Sequence, residues 1–543
     1  MGRWNIRWSI LLVLWCVTGV KLAAMKVESL DRGWFFNRGY ESQAADKVTV
    51  DLPHTWNAAD AMFGNVNYYR GMSTYSRFIV VPSSENFKRV FLRVKAAQTV
   101  ADVYLDNHFV AQHKGGYTSF TVELTHLIRR GEKQKLDIRV SNAQTMEIAP
   151  ICGDFNIWGG LNRGVELLYT DDACIDPTFY GSFGVFFTQY NVSEKYAGLE
   201  MKALLSGTEM ALNDCSIEFS LLDAKHKVVW CKETSVSGKE ALVKMELNNP
   251  HLWDGVNDPY LYTGVVVLKR GGKEIDRREE HVGFRFYSAD PDKGFFLNGK
   301  PYSIHGVNYH EDRAERASAF RPEDFESDLN LIQEMGCTAV RLAHYPHAQQ
   351  LHNLMDRRGL IAWAEIPFVN VFVSHPLYRE NLKQQLVELI CQYYNHPCIL
   401  TWGLFNEINP GWLENPNPMA EELNKVITKA EELKAKYDTN QEKYSIAGEE
   451  KFTKMLQAAK DAASNPEVDD KTLGMLLTTV QTGMDTLTAD VNAYKTLNQK
   501  ILDLSNAWDN GVYVDLDLPD YEQFLIDLET ARDGRTFNPA EVD

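Results

Sequence analysis

The chain has 543 residues and a formal net charge of −18, from 56 Lys and Arg against 74 Asp and Glu. This length is too great for one ordinary domain and suggests three or four. Hydrophobic residues make up 44% and charged residues 24%, which is typical of a folded protein. The acidic balance argues against a nucleic-acid partner, because no basic stretch is present to neutralise phosphates.

The first 24 residues predict a cleaved secretory signal. Arg3 and Arg7 provide the positive start, "SILLVLWCVTGV" the apolar core, and "LAA" at 22–24 the cleavage site. The apolar run is shorter than the roughly 20 residues that span a membrane. We therefore expect a secreted or periplasmic protein with no membrane span. The remaining cysteines are scattered without a CxxC pair, which indicates neither a disulfide framework nor a zinc site.

The region 25–180 consists of short alternating runs separated by turn residues, such as "STYSRFIVV" and "QKLDIRVSNA". A period of two without long helical stretches predicts an antiparallel, jelly-roll-like β-sandwich. Region 181–287 continues in this style with "DCSIEFSLLD" and "YLYTGVVVLKRGG". Its length of about 100 residues predicts an immunoglobulin-like β-sandwich.

The pattern changes in region 288–412, where apolar runs alternate with helical segments. In "EDFESDLNLIQEMG" the residues Phe325, Leu329 and Ile332 recur at helical spacing and predict one buried helix face. Strand and helix in alternation predict parallel βα units. Four such strands are present, which is half of an eightfold TIM-type barrel.

The breaker cluster "ENPNP" at 414–418 precedes a tail, 413–543, that lacks this alternation. From Leu473 the apolar positions follow one another in steps of three and four, a heptad-like seam that predicts a helical bundle or coiled-coil-like hairpin. These positions are Leu477, Val480, Met484, Leu487, Val491, Tyr494 and Ile501, with the polar Asn498 in the slot between the last two.

Several motifs follow one another along the chain. They are "LPHTWN" (52–57), "YYRG" (68–71), "GDFNIWGGLNRGV" (153–165), "GVNYHEDR" (306–313), "AVRLAHYPH" (339–347) and "WGLFNE" (402–407). In these motifs and their order the chain resembles glycoside hydrolase family 2 over about residues 30–412. The motifs "GVNYHEDR" and "AVRLAHYPH" are most similar to the β-galactosidase branch. The resemblance implies retaining hydrolysis of terminal β-linked galactosides, with β-glucuronidase or β-mannosidase as alternatives.

In βα barrels the reacting groups lie where strands end at the carboxyl face. Polar residues end all four predicted strands: His310 the first, Arg341 and His344 the second, Glu365 the third, and Asn406 with Glu407 the fourth. The resemblance implies that Glu407 is the general acid/base and that Asn406 binds the sugar 2-hydroxyl.

The resemblance also places His310, Arg341 and His344 in the substrate pocket. Glu365 is either a sugar contact or an ion-pair partner of Arg341. Asp154 is either a loop residue that reaches the barrel mouth or the cap of a turn. No metal and no cofactor are predicted, since "AEIPF" after the third strand lacks the carboxylate and histidine pattern of metal-assisted relatives.

A retaining glycosidase needs a second carboxylate, the nucleophile, roughly 5 Å from the acid/base. No glutamate after residue 412 ends an apolar strand in a βα setting, so the sequence identifies no nucleophile. Two hypotheses follow. One is a β-galactosidase-type hydrolase, and the other is a catalytically inactive, truncated or fused family member that binds carbohydrate or another protein. A homo-oligomer that pairs two half barrels is also compatible with the sequence.

Overall fold

The structure is a computed structural model. It describes residues 25–39, 48–60, 68–84, 86–373, 375–408, 418–439, 446–463, 468, 470–509 and 518–536. The predicted signal sequence lies outside the described residues, and secretion stays a prediction.

The first domain is the expected sandwich of two antiparallel sheets. One sheet has the order β1-β12-β6-β9 and the other β3-β2-β5-β10-β7-β8, with β11 and β4 as a separate pair. The inward side chains of β10, Leu136, Ile138 and Val140, are completely buried, which is the outcome of the period-two pattern. The strands are β1 (Lys26–Ser29), β2 (Trp34–Arg38), β3 (Val48–Val50), β4 (His54–Thr55), β5 (Met72–Val80), β6 (Arg89–Val94), β7 (Val100–Leu105), β8 (His108–Lys114), β9 (Phe120–Glu123), β10 (Lys133–Ser141), β11 (Gly160–Leu161) and β12 (Val165–Thr170).

The second domain is the expected immunoglobulin-like sandwich. One sheet is built around β15, which pairs with β13, β14 and β18, and the other sheet has the order β17-β16-β19-β20. Its core contains Phe187, Met201, Phe219 and Phe284. The elements are β13 (Cys174–Ile175), β14 (Val185–Tyr190), β15 (Tyr196–Ser206), α1 (Glu209–Asn213), β16 (Cys215–Leu222), β17 (Val228–Ser235), β18 (Glu240–Asn248), β19 (Tyr262–Arg270) and β20 (Lys273–Val282).

The third domain is a half barrel of four parallel strands in the order β24-β25-β26-β27. Asn308, Arg341, Trp363 and Thr401 are register mates across the four strands. Trp363 is 46% exposed, so this face of the sheet is uncovered at that point. The elements are β21 (Tyr287–Asp290), β22 (Gly294–Leu297), β23 (Lys300–Pro301), β24 (Gly306–Tyr309), α2 (Pro322–Glu334), β25 (Ala339–Leu342), α3 (Gln349–Arg358), β26 (Ile361–Glu365), α4 (Pro376–Tyr393) and β27 (Ile399–Gly403).

The tail is helical, as expected. Its helices are α5 (Pro418–Thr439), α6 (Ile446–Ala463), α7 (Asp470–Asp509) and α8 (Leu518–Asp533). The predicted seam of α7 is largely buried, with Leu477, Val480, Leu487 and Val491 in a core shared with α5 and α6. That core includes no residue of the half barrel, although α7 touches α4. Within the described ranges, no helix is long and apolar enough to cross a membrane.

Candidate active site

The carboxyl end of the parallel sheet collects the polar residues that the sequence predicts. His310 directly follows β24, Arg341 lies on β25, and Glu365 is the last residue of β26. Strand β27 ends at Gly403, earlier than predicted, so Asn406 and Glu407 lie on the loop that follows it. Because parallel strands end at one rim, these side chains face one barrel mouth.

Glu365 is the centre of an ion-pair network at this rim. Its side chain is 1% exposed. Arg341 donates from Nε and Nη2 to the two carboxylate oxygens, each at 3.1 Å, and His344 Nδ1 lies 2.5 Å from Oε1. A buried carboxylate needs such compensation, since removing one partner of a buried pair typically costs about 3–5 kcal/mol. Of the two roles that the sequence leaves open for Glu365, the structure contains the ion pair.

Arg341 also fixes the orientation of Asn406. Its Nη2 donates to Asn406 Oδ1 at 2.8 Å. A guanidinium has donors only, so the atom facing it must be the amide oxygen. The Asn406 backbone is held as well, because its N–H donates to Phe368 at 2.8 Å and its carbonyl accepts from Asn370 at 3.0 Å. The amide NH₂ group is therefore presented as a donor for a ligand acceptor such as a sugar hydroxyl.

Glu407 differs from Glu365 in its surroundings. Its side chain is exposed, and its backbone has φ of 51°, in the left-handed region. Non-glycine residues there cost about 1 kcal/mol or more and cluster at functional sites. The two glutamates at the rim thus have different surroundings. The Glu365 carboxylate is paired with Arg341 and His344, whereas the Glu407 side chain is exposed and accessible to a ligand.

His310 and the loop that contains Asp154 complete the rim. His310 Nδ1 lies 3.3 Å from the Tyr345 hydroxyl, and burial together with the neighbouring His344 lowers the pKa of His310. Asp154 is exposed, and its carboxylate accepts no turn-capping hydrogen bond from the described part of the chain. The next residue, Phe155, has its ring centroid 5.5 Å from that of His310 and 5.9 Å from that of His344. This loop of the first sandwich therefore reaches the mouth through Phe155.

Three residues at the mouth were not singled out from the sequence. They are Phe155, Tyr345 and Trp363, the last of which lies under Arg341 with its ring 5.5 Å from the guanidinium carbon. Phe155 and Tyr345 belong to the quoted motifs, so their motif membership was an available signal. Trp363 lies at the centre of β26, and only the strand register shows that it shares a face with Arg341.

A group with metal-ligand chemistry occurs away from the mouth. Ligand atoms of Asp356, His396 and Cys398 lie within 4.8 Å of one another. The Asp356 carboxylate already accepts hydrogen bonds from His396 at 2.6 Å, His281 at 3.0 Å and the Cys398 N–H at 3.1 Å. These bonds satisfy the carboxylate without an ion, so the cluster is explained as a hydrogen-bond network.

Two β-sandwiches followed by parallel βα units define a class of protein, the multidomain proteins with a TIM-type barrel domain. Three family models match in chain order. "Glycosyl hydrolase 2 galactose-binding domain-like" covers residues 59–150, "Glycosyl hydrolases family 2" covers 184–285, and "Glycosyl hydrolases family 2, TIM barrel domain" covers 291–434. The chain belongs to glycosyl hydrolase family 2. The barrel match extends into α5, past the predicted boundary at 412, and the predicted domain limits stay predictions.

The chain is similar to both glucuronidases and galactosidases. It is 42% identical over 408 residues to a β-glucuronidase of Bacteroides fragilis, covering 73% of this chain and 58% of the relative. It is 28% identical over 429 residues to a β-galactosidase of Bacteroides ovatus, covering 73% and 48%. A solved structure of Bacteroides uniformis β-glucuronidase 2, covalently bound to cyclophellitol-6-carboxylate aziridine, superposes with a TM-score of 0.66 at 30% identity, covering 71% and 47%. The chain thus spans about half to three-fifths of these relatives.

Proposed function

We propose that the chain acts as a retaining O-glycosidase in which Glu407 is the general acid/base. The observation that carries the proposal is the Arg341 guanidinium, which binds Glu365 and the Asn406 oxygen together and so presents the Asn406 NH₂ group beside the exposed Glu407. Protonated Glu407 would donate its proton to the glycosidic oxygen as the C1–O bond breaks and a second carboxylate, which the described rim does not supply, forms a glycosyl ester at C1. As a carboxylate, Glu407 would then take a proton from the water that attacks C1 and releases the second carboxylate.

A β-glucuronide is the substrate that we favour. The support is the 42% identity to a β-glucuronidase, against 28% for the β-galactosidase of Bacteroides ovatus. A β-galactoside, which the motif resemblance favours, is the second candidate. Both substrates need the same proton donor. They differ in the C5 substituent, a carboxylate or a hydroxymethyl group, and in the configuration of the C4 hydroxyl.

The nucleophile is the part of the reaction that the described rim does not supply. Both oxygens of Glu365 are engaged by Arg341 and His344, so this carboxylate is unsuited to attack C1. The competing hypothesis is a carbohydrate-binding family member without turnover. It predicts sugar binding at the same rim, dependent on Asn406 and independent of Glu407 ionisation.

Hydrolysis of 4-nitrophenyl β-D-glucuronide and β-D-galactoside by the purified chain tests the proposal. We expect kcat/KM to be at least tenfold higher for the glucuronide. Glu407→Gln should lower kcat by about 10²–10⁴-fold, the usual share of a general acid/base. The matched control is Glu334→Gln, which changes an exposed glutamate of α2 and should leave the rate unchanged. A parent chain no faster than Glu407→Gln would contradict turnover.

Covalent labelling addresses the missing nucleophile directly. A cyclophellitol-type aziridine with a 6-carboxylate should add its mass to one carboxylate of the chain, and peptide mass spectrometry should locate it. The label should persist in Glu334→Gln. Absence of both an adduct and turnover, with sugar binding retained, would support the carbohydrate-binding alternative.

A further inference from the structure

A second cavity lies at the seam between the first sandwich and the half barrel. Its volume is about 440 Å³, within the range of sites that hold small molecules. None of the predicted mouth residues lines it. The walls come from the sandwich, from the segment after β13 and from the barrel helices α2, α3 and α4.

The charges that line this seam cavity cancel. Lys95 pairs with Glu166 at 2.8 Å, and Arg163 pairs with Glu311 at 3.0 Å. Arg93 donates to the carbonyl oxygens of Gly181 and Ser182, and Asp31 accepts from the Val165 N–H. Three cations thus face three carboxylates. A cavity of this kind has no net charge with which to attract a free ion, but it is rich in polar atoms.

One polar atom of the seam cavity lacks a partner. Asn162 is 3% exposed, and within the described part of the chain its Oδ1 accepts no hydrogen bond, although its Nδ2 donates to Gln98 and Ser318. A buried acceptor of this kind requires a donor. The side chains of Gln350 and Phe320 also line the cavity. Hydroxyl donors combined with an apolar face are the features of a sugar ring.

The seam cavity adjoins an outer basin of about 830 Å³, with Asp31 and Pro53 lining both. The basin has three arginines and two aspartates, and Arg32 is already paired with Asp51 at 3.2 Å. Arg77 donates from Nη1 to the carbonyl oxygens of Leu30 and Arg32, and its buried Nε has no acceptor among the described residues. Arg321 is exposed and forms no ion pair within the same described ranges. The basin therefore favours an anionic group.

We propose that the seam cavity and the outer basin form a second saccharide site for a short acidic oligosaccharide. One sugar ring would occupy the seam cavity, where a hydroxyl donates to Asn162 Oδ1. A uronate carboxylate would lie in the basin against Arg77 and Arg321. Because Glu311 is adjacent to His310, the site shares a wall segment with the mouth while remaining separate from it.

Calorimetry with two trisaccharides of equal length tests the site. Trigalacturonate carries a carboxylate on each ring, and maltotriose carries none. We expect trigalacturonate to bind the full chain at least tenfold more tightly than maltotriose. Arg321→Ala should weaken trigalacturonate at least tenfold and leave maltotriose unchanged, and Gln350→Phe, which fills the seam cavity, should abolish both. The matched control is Arg357→Ala, an exposed arginine of α3 outside both cavities.

Several results would overturn the site. These are no binding of trigalacturonate, equal binding of the two probes, or binding that Asn406→Ala weakens and Arg321→Ala does not, since the last would place the ligand at the mouth. Arg321 is exposed, so its variant is informative even where Gln350→Phe fails to fold. Glu407→Gln should bind trigalacturonate like the parent chain, which separates this site from the proposed hydrolysis.

Discussion

The seam between the first sandwich and the half barrel contrasts with the core of the helical tail. At the seam, α4 presents four buried polar residues, Asn381, Gln385, Glu388 and Gln392. In the tail, α7 presents apolar residues such as Val480 and Leu487 to α5 and α6. Both helices are packed on their neighbours, but the first uses directed hydrogen bonds and the second uses apolar burial.

The hydrogen bonds of α4 are specific to individual sandwich residues. Glu388 accepts from His113 Nε2 at 3.0 Å and from Thr118 Oγ1 at 2.5 Å. Gln392 Oε1 accepts from the Ser119 N–H at 3.0 Å. Polar contacts of this kind fix how the domains are positioned, because each requires one geometry. Apolar packing tolerates volume-conserving exchange more readily. The comparison teaches that directed polar contacts set the orientation at the seam, whereas the core of the tail is formed by apolar contacts.

The largest effect is expected for Glu388→Ala. Burial opposes ionisation of Glu388, but His113 and the hydrogen bonds outweigh it and keep the pKa of Glu388 below its usual range. Removing the carboxylate leaves His113 and Thr118 without their partner, and we expect a loss of about 3–5 kcal/mol in the free energy of unfolding. Urea denaturation measures it. Glu380→Ala, which removes an exposed i,i+3 pair to Lys383, should change it by less than about 0.5 kcal/mol.

Asp356→Asn tests a second polar connection, between the immunoglobulin-like domain and the barrel. Despite burial, the charge of His396 lowers the pKa of Asp356, and Asp356 raises the pKa of His396. Because the pKa of His396 is raised in the folded chain, its ion pair stabilises the fold fully below the unfolded histidine pKa of about 6.5. This stabilisation is lost as the pH rises through the pKa of His396 in the folded chain. Because the pKa of the Asp356 carboxyl is lowered, Asp356 stabilises the fold above about pH 4, and this stabilisation is lost only as the pH falls through its folded pKa.

We therefore expect Asp356→Asn to destabilise the chain by about 3 kcal/mol near pH 6, and by less as the pH rises through the folded pKa of His396. Guanidinium midpoints of the parent and variant at several pH values measure this difference. A difference that stays constant or grows between pH 6 and pH 9 would contradict a charged His396.

The smallest effect is expected in the tail. Leu487 is 2% exposed, and Leu487→Ala should cost about 2 kcal/mol, confined to the tail helices. Hydrogen exchange followed by mass spectrometry should show faster exchange in α5, α6 and α7, with the sandwich strands unchanged. Leu502, 47% exposed on the same helix, provides the control variant Leu502→Ala. Faster exchange throughout the sandwich would show that the two regions unfold together.

Patterned elements are the part of the fold that the sequence predicts well. The alternating residues of β10 and the heptad positions of α7 each place apolar side chains on one face, and both faces are buried. The sequence does not reveal the role of α4. The buried residues with which it contacts the sandwich are amides and a carboxylate, which resemble a solvated surface in the sequence, and their partners lie more than 200 residues away. Such contacts leave no local periodicity.

The candidate site follows the same division. Strand ends predict that His310, Arg341, Glu365 and Asn406 share a rim, because the parallel register brings them there. The role of Phe155 depends on how a sandwich loop lies over the barrel, and that is set by packing between domains.

The polar face of α4 has a consequence for how this chain can change during evolution. A helix that binds its neighbour through apolar contacts accepts many partners. By contrast, Glu388 and Gln392 require a histidine, a threonine and a serine at set places in the sandwich. The sandwich and the barrel must therefore be inherited together or change in matched steps. The core of the tail includes none of these residues, so changes within that core do not require matched changes at the seam.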